Sequence, residues 1–183
     1  MRAAASIFHA FVVALVVGAC SSTPALPEQA PSPEATQFAA CTGIDGGAAK
    51  LPEISVPCFT GGQPVKVDRL RGPLVVNFFA SWCAPCREEL PSFQRLADSG
   101  RVPVLGVATD DRRSAALSLA IDLGLRFPTL FDAGGEFRRA RGEAALPLTL
   151  FIDERGEVTS YSGPALTDEA LGKLVAQRFV SAS

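Results

Sequence analysis

The sequence predicts an α/β domain with a mixed β-sheet and helices on both of its faces. Two features of the 183-residue chain support this class. Short continuous apolar segments alternate with longer segments in which apolar residues recur at helical spacing, which is typical of parallel strands joined by helices. Near the C-terminus, two extended segments are separated only by a short turn, which predicts an antiparallel pair in the same sheet. With 48% hydrophobic and 20% charged residues, the chain has an ordinary globular composition.

The first extended segments predict an N-terminal β-hairpin. Residues 53–60 and 65–67 flank the pair Gly61-Gly62. Glycine readily adopts the positive φ values that tight hairpin turns require, so this pair is the expected turn.

The central segments predict two strand–helix units. Residues 74–80 form an apolar run interrupted only by Asn77, which is typical of a strand buried on both faces. A helix is predicted at residues 83–99, a second buried strand at 102–108, and a second helix at 114–123. Because strands joined through a helix pair in parallel, these strands should lie side by side in the same direction.

The C-terminal third supplies the remaining strands and the last helix. Strands are predicted at residues 129–132, 148–153 and 157–161, with a turn at Gly134-Gly135 after the first. The last two flank a short turn and predict an antiparallel hairpin. Thr167 caps a final helix, and Leu166 and Leu171 are spaced as a hydrophobic staple across its first turn.

Charge and histidine content exclude several classes of function. The chain has 17 basic and 19 acidic residues and no basic segment, so we expect no nucleic-acid partner. The only histidine is His9, which argues against histidine-based metal sites and against Ser-His or Cys-His catalysis. No cofactor and no metal are expected. The chemistry must therefore use carboxylates or the five cysteines.

The N-terminal residues have the pattern of an export signal. An apolar run at residues 7–17 is about 16 Å long as a helix, too short to cross a membrane but typical of a signal peptide. The sequence Val17-Gly18-Ala19-Cys20 resembles the lipobox of bacterial lipoproteins, in which the cysteine thiol receives a diacylglyceryl group. The resemblance implies that residues 1–19 are a signal peptide and that Cys20 carries a lipid. An ordinary secretory signal cleaved near the same position is the alternative.

Residues 20–40 predict a solvated tether between the anchor and the folded domain. Pro, Ser, Ala, Glu, Gln and Thr dominate this segment, and it has no apolar periodicity. The folded domain is expected over residues 41–180. A protein organised in this way is held outside the cytoplasm by a lipid anchor in the cell membrane.

The chemistry concentrates at Cys83 and Cys86, which lie three positions apart where a buried strand passes into a helix. In the first turn of a helix, unpaired N–H groups and the helix dipole stabilise a thiolate and lower its pKa. Cys83 is therefore the expected nucleophile, exposed at the helix tip. Cys86 lies one turn further on the same side and can attack the mixed disulfide that Cys83 forms with a substrate. Pro85 suits the first turn, where its missing N–H costs no hydrogen bond.

Segment 75–87, which includes Trp82-Cys83-Ala84-Pro85-Cys86, resembles the active-site region of the thioredoxin superfamily. Pro91 matches the proline that kinks the active-site helix of that family. Over about residues 50–180, the chain is similar to the TlpA/ResA/DsbE group of exported, membrane-tethered thiol-disulfide oxidoreductases. The resemblance implies a thioredoxin-like fold with an additional strand and helix within residues 106–131.

The same resemblance assigns residues to the substrate site. Leu146-Pro147 matches the cis-proline of the family, which faces the cysteine pair and lets the preceding residue pair with a substrate peptide. Leu146, Pro147 and Trp82 are thus expected to dock the substrate, although Trp82 could also be simple packing. Asn77 stands where thioredoxin has a buried aspartate that takes the proton from the second cysteine, and an amide cannot do this. Glu143 is a candidate for that role, with a solvated loop charge as the alternative.

The implied activity is disulfide exchange with cysteine pairs of exported proteins, with a membrane redox partner that recycles the enzyme. Reduction during cytochrome c maturation and oxidation of exported thiols both fit, because thiolate stabilisation and not cysteine spacing sets the reduction potential. The dipeptide Ala84-Pro85 lacks the acidic residue that some ResA proteins have, so their substrate preference does not carry over.

Cys41 and Cys58 lie outside the motif, seventeen positions apart. In an oxidising compartment they are expected to form a structural disulfide that stabilises the fold by about 3 kcal/mol. Actinobacterial members of the TlpA-like group resemble this pattern. The alternatives are a second redox pair that passes electrons to Cys83 and Cys86, and two ligands of a four-thiolate zinc site.

Three other functions compete with disulfide exchange. A peroxidase related to the peroxiredoxins would need a Thr-containing loop around its nucleophile, which is absent here. A Cu(I)-binding chaperone similar to the Sco proteins would have only two thiolates as ligands. An inert structural pair would need neither a helix tip nor a matching Leu-Pro. Elsewhere, Asp110-Asp111 is expected to form a turn or cap, and Arg112-Arg113 a solvated helix start.

Overall fold

The computed structural model describes residues 37–142 and 145–179, so the proposed signal peptide, Cys20 and most of the tether lie outside the described residues. The elements in chain order are β1 (Ser55–Val56), β2 (Val65–Lys66), β3 (Leu74–Phe79), α1 (Ala84–Asp98), β4 (Val104–Thr109), α2 (Arg113–Leu123), β5 (Thr129–Asp132), α3 (Glu136–Ala140), β6 (Leu148–Ile152), β7 (Val158–Tyr161) and α4 (Asp168–Phe179). A turn of 3-10 helix, Val67–Arg69, follows β2. None of the helices described combines the length and the apolar character needed to cross a membrane.

Five strands form one mixed sheet in the order β5-β4-β3-β6-β7. β3, β4 and β5 are parallel, whereas β6 runs antiparallel to β3 and β7 antiparallel to β6. The predicted mixed sheet and the C-terminal hairpin are therefore confirmed, and α2 with β5 forms the predicted insert. β3 is the central strand, and its Asn77 is aligned with Gly106 on β4 and with Thr149 on β6.

The three long helices pack on one face of the sheet. Both parallel connections, β3–α1–β4 and β4–α2–β5, step in the same direction across the sheet. Right-handed crossovers then place α1 and α2 on the same face. α4 packs beside α1 on this face, which also receives Val75 and Phe79 of the central strand. Alternate residues of β3, among them Val76 and Phe78, point to the opposite face.

The opposite face is covered by α3, the N-terminal hairpin and the loops beside it. Phe137 of α3 packs against Phe78 of β3, with ring centroids 4.9 Å apart. The carboxylate of Asp132 accepts hydrogen bonds from the backbone N–H groups of Phe137 and Arg138 and so holds the start of α3. Helices thus lie on both faces, as predicted, with the three long helices on one face and the short α3 on the other. α3 itself was not predicted, because five residues are too few to show a helical period.

The packed domain begins earlier than the expected boundary at residue 41. Phe38 is buried, and its ring centroid lies 4.8 Å from that of Phe59. The side chain of Gln37 donates hydrogen bonds to two carbonyl groups at the C-terminal end of α2 and just beyond it. The tether prediction included these residues because one anchoring phenylalanine does not stand out in a segment rich in Pro, Ser and Ala.

The N-terminal hairpin is shorter than predicted. β1 and β2 pair over two residues each. Beyond β1 the chain leaves β2 and runs beside β5, where Cys58 forms an antiparallel bridge with Leu130 and the Phe59 N–H donates to the Thr129 carbonyl. Gly61-Gly62 has the expected positive φ values, but it belongs to the wider loop that returns the chain to β2.

A disulfide joins Cys41 to Cys58, with Cα atoms 5.9 Å apart. Cys58 is buried beside β5, so the bond fastens the N-terminal segment to the edge of the sheet. A zinc site would need both thiolates free, and the structure has them bonded to each other. The arrangement therefore favours a structural role for this pair.

Candidate active site

The second cysteine pair lies where β3 passes into α1, at the C-terminal edge of the parallel strands. Cys83 is the N-cap of α1, with an extended backbone, and its Sγ accepts a hydrogen bond from the Cys86 backbone N–H at 3.3 Å. Pro85 lies in the first turn of the helix, where a backbone N–H would have no partner within the helix, so its absence costs no hydrogen bond. The N–H groups of this turn are therefore available to stabilise a Cys83 thiolate once the pair is reduced.

The structure has Cys83 and Cys86 joined in a disulfide, with Cα atoms 5.3 Å apart. Cys86 is fully buried, and only 5% of Cys83 is exposed. The expectation of an exposed Cys83 is wrong for this oxidised state, because its sulfur turns inward to bond Cys86. The exposed residue is the neighbouring Trp82, with 63% of its surface accessible. Pro91 lies inside α1, at the position that the family resemblance implies.

A buried carboxyl group lies one helical turn from Cys86. Glu89 is 1% exposed and, three residues after Cys86, lies on the same side of α1. Its Oε1 accepts a hydrogen bond from Asn77 Nδ2 at 2.7 Å, and its Oε2 accepts one from the Leu166 backbone N–H at 3.0 Å. Burial raises the pKa of Glu89 to about 7, and the hydrogen bonds from Leu166 and Asn77 limit the rise. Near neutral pH this group can therefore both accept and release a proton.

Asn77 and Thr149 complete the buried polar cluster around Glu89. They are aligned across β3 and β6, and Asn77 Nδ2 lies 3.4 Å from Thr149 Oγ1. Asn77 Oδ1 is buried and has no hydrogen-bond partner among the described residues. An ionised carboxylate can only accept, so an ionised Glu89 requires the amide to present its N–H₂ group and leaves Oδ1 unpaired.

Sequence reasoning did not find Glu89 and considered Glu143 instead, which lies outside the described residues. The signal for Glu89 was nevertheless present. At helical spacing it falls on the stripe that contains Cys86, Leu90 and Phe93, all of which are buried. A charged residue on such an apolar stripe beside a reactive pair is a candidate for a functional carboxyl group.

The loop before β6 reaches the same part of the molecule. The Leu146-Pro147 peptide bond is cis. Pro147 is buried, while Leu146 is half-buried and packs against the hydrophobic cluster that contains Cys83 and Cys86. Leu146 thus packs against the same hydrophobic cluster as the cysteine pair, and its role in substrate docking stays a prediction.

A second loop, between β4 and α2, contacts the residues immediately before Cys83. The Asp111 carboxylate accepts hydrogen bonds from the Ser81 backbone N–H at 2.6 Å and from Ser81 Oγ at 2.9 Å. Trp82 Nε1 donates to the Asp110 carbonyl at 2.9 Å. The expectation that Asp110-Asp111 forms only a turn or cap missed these contacts, because they join residues about thirty positions apart.

Arg112 and Arg113 differ in their surroundings. Arg112 is exposed, as expected for a solvated helix start, but Arg113 is half-buried. The Arg113 guanidinium lies over two aromatic rings, 4.3 Å from the centroid of Phe59 and 5.2 Å from that of Phe131. A cation over aromatic faces is attracted by their quadrupoles, so Arg113 helps to attach α2 to the N-terminal segment and to β5.

Residues 48–161 match the model of the AhpC/TSA family. The match covers more than half of the chain. It includes Cys83 and Cys86, the buried cluster around Glu89, and the cis peptide bond before β6.

Curated relatives share this part of the chain. A thiol:disulfide interchange protein DsbE homolog of Paracoccus denitrificans is 35% identical over 124 residues, which are 66% of this chain and 68% of the relative. The thiol:disulfide interchange protein HelX of Rhodobacter capsulatus is 34% identical over 103 residues, or 55% of this chain and 57% of HelX. The thiol-disulfide oxidoreductase ResA of Bacillus thuringiensis is 29% identical over 101 residues, or 53% of this chain and 58% of ResA. The chain thus spans between 57% and 68% of these relatives.

Solved structures show the same fold. The structure of MTB DsbF superimposes with a TM-score of 0.63 at 26% identity and covers 70% of this chain and 98% of DsbF. A secreted Mycobacterium tuberculosis disulfide oxidoreductase, described as homologous to E. coli DsbE, gives a TM-score of 0.62 at 26% identity. That match covers 68% of this chain and 96% of the other protein.

The buried position of Glu89 predicts a pH-dependent stability. Its pKa is about 7 in the folded protein and 4.5 ordinarily, so the folded state retains a proton that the unfolded chain releases between these values. The resulting stabilisation is complete below pH 4.5 and decreases by up to about 3 kcal/mol as the pH rises to 7. Glu89→Gln removes this titration, so its unfolding free energy should not show that decrease.

The measurement is urea unfolding of the oxidised proteins between pH 5 and 8. Asp122→Asn is the matched control, because Asp122 is exposed on α2 and its replacement removes a carboxylate without touching the buried cluster. Parallel pH profiles for wild type and Glu89→Gln would contradict the assignment.

Proposed function

We propose that this chain, which belongs to the AhpC/TSA family, is a thiol-disulfide oxidoreductase that exchanges disulfides with cysteine pairs of exported proteins. One observation carries the proposal. Cys83, bonded to Cys86, caps the N-terminus of a helix, one turn from a buried carboxyl group, and the hydrophobic cluster that contains both cysteines also receives Leu146 of a cis X-Pro loop. The names of the relatives, thiol-disulfide oxidoreductase and thiol:disulfide interchange protein, support the same activity.

The exchange takes place in two displacement steps. In the reduced enzyme, the Cys83 thiolate attacks a substrate disulfide, forms a mixed disulfide and releases one substrate thiolate. Cys86 then loses its proton and attacks the Cys83 sulfur, which releases the second substrate thiolate and closes the Cys83–Cys86 disulfide. Two electrons pass from the enzyme dithiol to the substrate, and a membrane thiol partner restores the dithiol by the same chemistry.

Glu89 is the proposed proton acceptor for Cys86. The two residues share one side of α1 one turn apart, and a carboxyl group with a pKa of about 7 is suited to proton transfer near neutral pH. Asn77 occupies the position where the thioredoxin resemblance expects an aspartate, and it donates a hydrogen bond to Glu89. The proposed acid–base group therefore lies on α1, hydrogen-bonded to the strand residue that stands at the aspartate position of the resemblance.

Leu146, Pro147 and Trp82 are the proposed docking residues. Leu146 packs against the cluster that contains the cysteine pair, and Trp82 is exposed immediately before it. A substrate segment that lies along the loop before β6 would bring its disulfide to Cys83. Cys41 and Cys58 are assigned a structural role, because their disulfide fastens the N-terminal segment to β5.

Reduction, as in cytochrome c maturation, is the proposed direction of exchange. The reduced form carries a negative charge on the Cys83 thiolate, and a carboxylate at Glu89 on the same helix opposes that charge, so it destabilises the reduced form relative to the disulfide. A less stable reduced form makes the pair a better reductant. Oxidation of exported thiols is the alternative direction.

The mechanism predicts that Cys86→Ser accumulates a mixed disulfide. With a peptide that contains a Cys-x-x-Cys disulfide, Cys86→Ser should trap the peptide on Cys83, because no second thiol is present to release it. Cys83→Ser should lose at least about a hundredfold in exchange rate, since the nucleophile is missing. Intact-mass spectrometry and the release of peptide thiols measure the two effects.

The double variant Cys41→Ala/Cys58→Ala is the control, and it should exchange like wild type. Full activity in Cys83→Ser would refute the mechanism. Loss of exchange in the double variant, with the fold intact, would instead make Cys41 and Cys58 a second redox pair. Consumption of hydrogen peroxide at a rate comparable to disulfide exchange would favour a peroxidase.

The direction predicts the reduction potential of the Cys83–Cys86 pair. A reductase should have a potential nearer to about -270 mV than to about -120 mV. Glu89→Gln should make the potential less negative, because a neutral neighbour no longer opposes a thiolate. Equilibration with glutathione or dithiothreitol buffers measures both proteins, with Asp122→Asn as control. A wild-type potential near about -120 mV would reverse the proposed direction.

The location is proposed from the N-terminal sequence, with residues 1–19 as a signal peptide and Cys20 as a lipid-anchored residue. The described domain is compatible with such an anchor. Its N-terminal segment is attached through the Ala39 N–H to the Arg126 carbonyl, just before β5 begins. Cys83 follows the C-terminal end of β3, whereas Arg126 precedes the N-terminal end of β5. Because β3 and β5 are parallel, Cys83 and Arg126 lie beyond opposite ends of the strands.

The anchor predicts fatty-acid labelling that depends on Cys20. The full chain expressed in a bacterium with an alkyne-bearing fatty acid should be labelled and sediment with membranes. Cys20→Ala should lose the label and leave the membrane fraction, since its thiol would receive the lipid. Cys83→Ser is the matched control and should keep the label. An unlabelled wild-type protein would leave the ordinary secretory signal as the explanation.

A further inference from the structure

We propose that Asp110 and Asp111, here called the aspartate bracket, are positioning residues that hold Trp82 as a fixed wall of the substrate cleft. The bracket lies on the loop between β4 and α2 and contacts the segment that leads into Cys83. The kinetic part of this inference rests on the proposed disulfide exchange, whereas its structural part does not.

Asp111 fixes the residue that precedes the tryptophan. Both of its carboxylate oxygens accept hydrogen bonds from Ser81, Oδ2 from the backbone N–H and Oδ1 from the hydroxyl group. Oδ1 also accepts the Arg112 backbone N–H at 2.8 Å, which orients the carboxylate. Hydrogen bonds to an ionised group are stronger than those between neutral groups. The two hydrogen bonds from Ser81 to Asp111 therefore fix the backbone immediately before Trp82.

Asp110 fixes the indole itself, through its carbonyl oxygen. Its backbone has a φ of 48°, in the left-handed region that a residue with a side chain seldom adopts. The Asp110 carboxylate pairs with two arginines of α3: Arg138 donates from Nε at 3.0 Å and also from Nη2, and Arg139 donates from Nη1 at 3.4 Å. These ion pairs hold the residue in the conformation that directs its carbonyl at the indole.

The exposure of Trp82 explains why such a bracket matters. With 63% of its surface accessible, the side chain is not held by burial. It lines a groove of about 360 Å³ together with Ser81, the bracket residues, Arg112, Ala115 and Ala133. An aromatic wall that is ordered before binding loses no freedom when the substrate arrives, and such preorganisation improves affinity without any new contact. The effect should therefore reach only those substrates that are large enough to touch the wall.

The bracket also connects two sides of the cleft. α3, which supplies Arg138 and Arg139, is followed by the chain segment that leads to Leu146. The start of α3 is held by Asp132, and Asp132 also accepts a hydrogen bond from Thr109 at the end of β4. Arginines of α3 thus bind the residue that holds Trp82, and the same short helix precedes the docking loop in the chain.

Trp82 is the only tryptophan of the chain, so its indole N–H gives one signal in a ¹⁵N NMR spectrum. Asp111→Asn and Asp110→Gly should each raise the indole hydrogen-exchange rate about tenfold, because each removes a charged anchor. Asp110→Asn should raise the rate less than Asp110→Gly does, since asparagine loses the ion pairs but tolerates the left-handed backbone and keeps one oxygen for Arg138. Asp122→Asn is the control. An unchanged exchange rate in Asp111→Asn or in Asp110→Gly would overturn the proposal.

Kinetics separate positioning from a general structural effect. For Asp111→Asn, kcat/KM for the Cys-x-x-Cys disulfide peptide should fall about tenfold more than that for bis(2-hydroxyethyl) disulfide, through a higher KM. Equal losses for both substrates would show that Asp111 acts on the cysteines or on folding, and would overturn the proposal. If the wild type reduces neither substrate, the proposed function fails, and the indole exchange rates still decide whether the bracket holds Trp82.

Discussion

The junction between the central strand and the first helix positions the cysteine pair, on which the proposed chemistry depends. β3 ends at Phe79, and α1 begins at Ala84, so only four residues separate a fully buried strand from the helix. The last of them, Cys83, becomes the N-cap and receives the Cys86 N–H on its sulfur. β3 is hydrogen-bonded to a neighbouring strand on each side, and α1 packs on its face. The cysteine pair is therefore positioned by a buried central strand and by the helix packed on it.

The order of the strands brings two further loops close to this junction. β3 lies between β4 and β6, so the loops that follow β4 and precede β6 reach the same edge from opposite sides. One loop brings Asp110 and Asp111 to the residues before Cys83, and the other brings Leu146 to the cluster that contains the disulfide. The C-terminal end of β4 and the N-terminal end of β6 thus lie on either side of the C-terminal end of β3, from which the chain leads to the cysteine pair.

Much of the fold follows from local patterns in the sequence. The strands at β3, β4 and β5 and the helices α1, α2 and α4 coincide with apolar runs and helical periods that are long enough to recognise. α3 is too short to show a period, and Phe38 is a single anchor in a polar segment. The turn-like Gly61-Gly62 was recognised, but nothing local shows that the chain beside it pairs with β5 rather than with β2.

The candidate site likewise contains residues that local sequence motifs reveal and residues that only the fold brings together. Cys83, Cys86 and Leu146-Pro147 are visible as motifs, because their chemistry depends on short spacings. Glu89 was missed because a charged residue on a helix is usually solvated, and its burial comes from Asn77 on β3 and from Leu166 before α4. The bracket was missed because Asp111 and Ser81 lie thirty positions apart. These hydrogen bonds depend on the tertiary fold, although the place of Glu89 on the apolar stripe of α1 was visible in the sequence.

Two sets of carboxyl groups lie on different sides of the cysteine pair, and their surroundings give them different roles. Glu89 is buried one helical turn from Cys86, and this burial raises its pKa to about 7, so it can exchange protons near neutral pH. Asp110 is paired with two arginines, and Asp111 accepts hydrogen bonds from two N–H groups and one O–H group, so these carboxylates are suited to hold geometry. The proposed proton transfer and the proposed substrate positioning thus rest on separate groups. A change on one side can therefore alter the chemistry of the sulfur atoms while the exposed cleft keeps its shape.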